Sequence, residues 1–165
     1  MKRLQRLAQV QAADAEIRRY ATTLAEHRDR QVSVSDLIVL DHRASSSRSP
    51  LRGKAGVYCH VGKGGVLLRF GKTSGTGATG MHRRPFSAKT AGDILQHGYV
   101  LLGIVGWCIE SEGFDHPEKP LLAMEAHLVC IFETPMNAGK DERTFNFRRN
   151  RNSFGSDCGL RFRVG

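Results

Sequence analysis

Glu125 is the residue whose surroundings most demand a chemical explanation. It falls inside the apolar segment Pro120–Phe132, where helical spacing sets it beside Leu121, Leu122 and Val129. A carboxylate in such a stretch costs free energy unless it is paired or metal-bound. A turn toward solvent, or pairing with His127 or an arginine, would meet that demand. So would a divalent cation: Mg²⁺ (or Mn²⁺) on a single carboxylate can position a water and offset the charge that develops as a phosphodiester is hydrolysed.

The charge of the chain suits a phosphate substrate. Lys and Arg number 25 against 16 Asp and Glu, a net +9, and such a balance points to a polyanionic partner. The excess is confined to the flanks. Residues 1–54 hold eleven basic and six acidic side chains, residues 55–138 seven of each, and residues 139–165 seven and three. Flanks that grip a phosphate backbone around a compact site would look like this, as would two solvated tails. In the C-terminal flank Arg143, Arg148, Arg149 and Arg151 alternate with Phe145, Phe147 and Phe154. Arginines contact phosphates and guanines, so these four are the predicted DNA-binding residues, and the phenylalanines argue against a plain tail because they need burial.

Other chemistries are excluded by spacing. Gly71-Lys72-Thr73 ends like a phosphate-binding P-loop, but five residues separate Gly65 from Gly71, and they form an apolar strand instead of a cradle. Cys59, Cys108, Cys130 and Cys158 are too scattered for a zinc cluster or a disulfide framework. Isolated thiols fit a reducing cytosol, and the expected location is cytoplasmic, with no membrane span and no secretion signal.

Four separated pieces, taken together, carry a resemblance. Gly56-Val57-Tyr58 is followed by Arg69-Phe70-Gly71-Lys72, then by Glu125, and then by Asn137 twelve positions later with Pro135 nearby. In this order and spacing the chain, over about residues 54–138, resembles the GIY-YIG nuclease family. Tyr58 precedes Arg69 by eleven positions, the separation that the two tyrosines keep on a hairpin in the family's excinuclease members. The resemblance implies a metal-dependent endonuclease in which Tyr58 helps activate the attacking water, Glu125 holds the metal and Asn137 closes the site. A tyrosine near a bound cation and basic groups would have a lowered pKa, suited to a base. The family's arginine corresponds to Arg83 or Arg84, with His82 beside them as a proton shuttle or a structural histidine. Arg84 abuts Pro85, which favours Arg83. The chain departs from the family at Arg69, which replaces the second tyrosine. Arg69 then stabilises phosphate charge, or Lys72 takes over proton handling, or the site is impaired; the survival of Tyr58, Glu125 and Asn137 favours activity.

The elements that must position these residues follow from pattern. Leu4, Leu7, Val10, Ala13, Ile17, Tyr20 and Leu24 recur at helical spacing over residues 3–29. Ser45 to Pro50 is a linker by composition. Strands over 55–61 and 66–71 form a hairpin on Gly62-Lys63-Gly64-Gly65. Residues 81–84 make a helical turn stopped by Pro85, 88–96 a helix, 99–109 a buried central strand, and 120–132 the helix of Glu125. The predicted fold is α/β (α+β): a small, three-stranded, mostly antiparallel sheet flanked by helices, with an N-terminal helical arm. The expected divisions are 1–53 (arm and linker), 54–138 (nuclease core) and 139–165 (basic extension). The expected function is a double-stranded DNA endonuclease of restriction, mobile-element or phage type. A structure-selective repair nuclease and a catalytically silent nucleic-acid-binding module are the alternatives. Cutting both strands would need a homodimer or two successive nicks.

Overall fold

The computed structural model describes residues 2–26, 30–40, 50–75, 80–116 and 118–137. Most of the Ser-rich linker and the whole basic extension, with Arg143, Arg148, Arg149 and Arg151, lie outside the described residues.

The sheet is built around a hairpin. Strand β3 (Gly56–Gly62) turns through a 3-10 segment at Lys63–Gly65 into β4 (Leu67–Thr73). Gly64 and Gly65 have φ of 82° and 86°, a left-handed conformation that side chains with a Cβ resist. The antiparallel register pairs Tyr58 with Gly71 and His60 with Arg69. Strand β5 (Leu101–Glu112) pairs with the other edge of β3. Two further strands, β1 (Gln31–Val34) and β2 (Ile38–Leu40), pair in succession along the far edge of β5.

Among the described residues the sheet therefore has five strands, all antiparallel, in place of the three expected. Segments of four and three residues are too short for alternation to declare them, and only their pairing with β5 fixes them as strands. Ser35 bridges the interruption: its N–H donates to the Cys108 carbonyl (3.0 Å) and its Oγ accepts from the Cys108 N–H (2.9 Å). The same pairing carries β5 three residues past the predicted end at Ile109, through Glu110, Ser111 and Glu112.

Helices α1 (Lys2–Gln5) and α2 (Ala8–Ala25) replace the single predicted N-terminal helix, with Leu7 extended between them. The expected arm is a layer of the core. Val10, Ala13, Ile17, Ala21 and Leu24 of α2 pack in one cluster with Val57, Phe70, Val105 and Trp107 of the sheet. Leu121, Met124 and Leu128 of α4 (Lys119–Phe132) complete it. An apolar stripe of that length has to be covered, and the sheet supplies the cover. Trp107, fully buried, donates Nε1–H to Asp14 Oδ1 at 2.8 Å, tying α2 to the central strand. Between α2 and α4, His127 stacks on Tyr20 (4.0 Å) and bonds to Glu16. Its bond to Arg19, then that to His127, holds the Glu16 carboxyl down to about 2 against its burial.

The opposite sheet face carries a second cluster of Leu40, Leu51, Tyr58, Met81 and Ile104. It is approached by a 3-10 turn at Arg84–Phe86 and, through Thr90, by α3 (Ala88–Gln96). Pro85 sits inside that turn instead of stopping one, since its fixed φ suits a first helical turn. No helix of the described residues is long and apolar enough to cross a membrane.

Candidate active site

Two glycines make the local geometry possible. Gly71 lies opposite Tyr58 in the register, and a Cβ there would stand 2.6 Å from both the ring Cζ and the hydroxyl of Tyr58. The phenol therefore lies across bare backbone of the edge strand. A Cβ on Gly56 would meet the Trp107 carbonyl oxygen at 2.1 Å, so this glycine is what allows β3 to close on β5.

Tyr58 is the third residue of β3 and is 4% exposed. Burial pushes its phenol above the ordinary value, Arg69 and then Arg84 pull it back, and Glu125 adds to the rise. Arg84 acts on the hydroxyl as a hydrogen-bonding partner as well as a charge. The lowered pKa expected for Tyr58 is thus corrected for the protein alone: loss of water outweighs the two guanidiniums. Side chains from β3, β4, the 84–86 turn and α4 nevertheless share one electrostatic neighbourhood.

Between the two candidate arginines the structure favours Arg84, against the preference for Arg83. Both are exposed; Arg83 caps the turn, while Arg84 acts on the phenol as a charge and a hydrogen-bonding partner, so that abutting Pro85 does not keep it away. Arg69 is half-buried, its Nη1 donating to Thr90 Oγ1 at 3.3 Å, and its buried Nε has no hydrogen-bond partner. Lys72 follows Gly71 and so points to the other sheet face, where its ammonium lies 3.3 Å from Glu118. The structure does not bring it to the phenol. His82 has a buried, unpartnered Nδ1 beside Gly80 and is not among the groups acting on Tyr58.

Asn137 is 3% exposed and behaves as a short strand. Its Oδ1 accepts from the Phe70 N–H (2.9 Å) and its Nδ2 donates to the Phe70 carbonyl (3.2 Å), while Thr134 Oγ1 donates to the same Oδ1. Backbone groups of the edge strand are satisfied by one side chain, and the second motif is held in place. Asn137→Ala should cost about 3 kcal/mol, because it strands a buried donor and a buried acceptor. A lowered urea midpoint with an unchanged m-value checks it.

Glu125 is half-buried near the middle of α4. His127, one of its anticipated partners, is engaged by Glu16 and Tyr20. Among the described residues no three His, Cys, Asp or Glu side chains converge on a metal-sized site. One carboxylate fits a hard cation only in company with substrate phosphate oxygens and water, which is the ligand set Mg²⁺ favours.

Sequence reasoning passed over His60. It lies on the same face as Tyr58, two residues on, and its ring meets the phenol edge-on at 5.6 Å. That two-residue step within a strand was the available signal. His60 Nε2 donates to the Pro85 carbonyl at 2.9 Å. Burial lowers its pKa from 6.5 to about 4. The unfolded chain therefore binds a proton in that window that the folded one refuses. The neutral ring's contribution of about 3 kcal/mol is complete above pH 6.5 and is lost as the pH falls toward 4. Urea titrations at pH 7.5 and 4.5 should show a smaller pH-dependent loss in His60→Leu than in the wild type.

Comparison of the chain with protein-family models, with curated proteins and with solved structures gave no match.

Proposed function

We propose that the chain is a metal-dependent DNA endonuclease of GIY-YIG type. What supports it is that Arg69, Arg84 and Glu125, from three separate elements, all act electrostatically on the Tyr58 phenol of a fourth. The family pattern asks for this convergence, and its two glycines have steric reasons here. Glu125 would hold Mg²⁺ or Mn²⁺, which when bound supplies charge neutralisation at the phosphate. Arg84 and Arg69 bind the scissile phosphate and stabilise the pentacovalent transition state through charge-assisted, paired hydrogen bonds. Tyr58, kept protonated by burial, would orient the attacking water by hydrogen bonding. Asn137 keeps the Arg69 strand in register. The basic flanks supply DNA affinity. A compact chain with such flanks suits a restriction-type or mobile-element role, acting as a dimer or by two nicks.

Supercoiled plasmid, incubated with Mg²⁺ or with chelator, tests the proposal. Nicked or linear product is expected with metal alone. Gel shift without cleavage in any divalent cation would make the chain a silent binding module. Arg84→Ala should lower the cleavage rate about 10²-fold or more, while Arg83→Ala stays close to wild type. Single-turnover kinetics on one duplex compare the two variants.

A further inference from the structure

We propose that His60 is a positioning residue whose Nε2–H, donated to the Pro85 carbonyl, latches the 84–86 turn onto β3 and so holds Arg84 at the Tyr58 hydroxyl. The proposal rests on the nuclease assignment for its consequence, but not for its geometry.

A carbonyl only accepts, so the 2.9 Å contact places the ring proton on Nε2 and leaves Nδ1 as a bare lone pair. That Nδ1 is buried without a partner, and His60 as a whole is 2% exposed. One ring thus touches the phenol on one side and, on the other, the residue after Arg84. The turn needs such an anchor. Most of its hydrogen bonds are local: Arg83 and Arg84 N–H to the Gly80 carbonyl, Phe86 N–H to Arg83, Ser87 N–H to Arg84. Met81 N–H to the Lys54 carbonyl ties the start of the segment, and His60 ties its end. Without the latch, a long, exposed arginine has no reason to keep one orientation. The neutral ring suits this task, because a second ring proton would put a charge in a buried site, across the strand from the Arg69 guanidinium. Gln, with a donor at comparable reach, can replace the latch; Leu, of similar bulk, cannot.

The test reads the phenol directly. The three tyrosines are replaced by 3-fluorotyrosine, which titrates at lower pH than tyrosine, and the Tyr58 resonance is followed by ¹⁹F NMR. Since Arg84 lowers the phenol pKa, His60→Leu should raise it to the value found in Arg84→Ala, and His60→Gln should keep the wild-type value. In an Arg84→Ala background, His60→Leu should add nothing. On DNA, His60→Leu should lower kcat about tenfold with KM unchanged, and His60→Gln should recover it. If the Leu variant does not fold, His60→Asn, whose amide falls short of Pro85, takes its place with the same expected shift. An unmoved phenol in the Leu or Asn variant, or a Gln variant that shifts as far, overturns the latch. The expected phenol shifts in the variants, with a wild-type chain that cuts no DNA, leave the latch standing and remove the nuclease assignment.

Discussion

Glu125→Ala should abolish cleavage, by about 10³-fold or more, while leaving DNA affinity unchanged. Glu125 is the acidic group that bears on Tyr58 among side chains that are otherwise cationic. Removing it takes away the carboxylate proposed to hold the cation, while Arg69, Arg84 and the basic flanks would still attract phosphate. Binding and chemistry should therefore separate, as gel shift and single-turnover cleavage on the same duplex can show. A second consequence does not need catalysis. Glu125 raises the Tyr58 phenol, so its removal should lower that pKa, opposite in sign to the effect of removing Arg84. A Glu125→Ala variant that cuts normally would end the metal assignment.

The two motif glycines should fail in different ways. An alanine at Gly56 sets its methyl 2.1 Å from the Trp107 carbonyl oxygen, and because both sides are backbone no rotamer change relieves it. β3 would have to part from β5 at the middle of the sheet, costing about 3 kcal/mol or more. The denaturation midpoint should fall sharply. At Gly71 the methyl meets the Tyr58 ring at 2.6 Å, a side chain that can swing away. Gly71→Ala should fold with a modest loss of stability and misplace the phenol, lowering cleavage about 10²-fold. Equal midpoints for Gly56→Ala and wild type would contradict the packing described here.

Sequence legibility followed the range of the interactions. The hairpin, α3 and α4 were readable because their signals are local: glycines at the turn, helical spacing and a proline in the first turn. β1 and β2 were not, since seven residues in two pieces become strands only against β5. The N-terminal stripe announced a helix, but whether it covered the sheet or stood apart depended on Trp107 and Asp14, ninety-three residues distant in sequence. Within the site, motif spacing led to Tyr58, Glu125 and Asn137. It did not choose between Arg83 and Arg84, because that depends on how one turn presents two neighbours. His60 escaped for the same reason: its partner is a backbone carbonyl, which leaves no mark in residue type.

The most direct measurement is a double-mutant cycle in single-turnover cleavage, with Tyr58→Phe, Glu125→Ala and the pair together. Groups that act on one phosphate as a unit are strongly non-additive, so the double variant should be scarcely slower than the worse single one. Losses that multiply, or a wild-type chain that cuts duplex DNA with no divalent cation, would contradict a shared hydrolytic site.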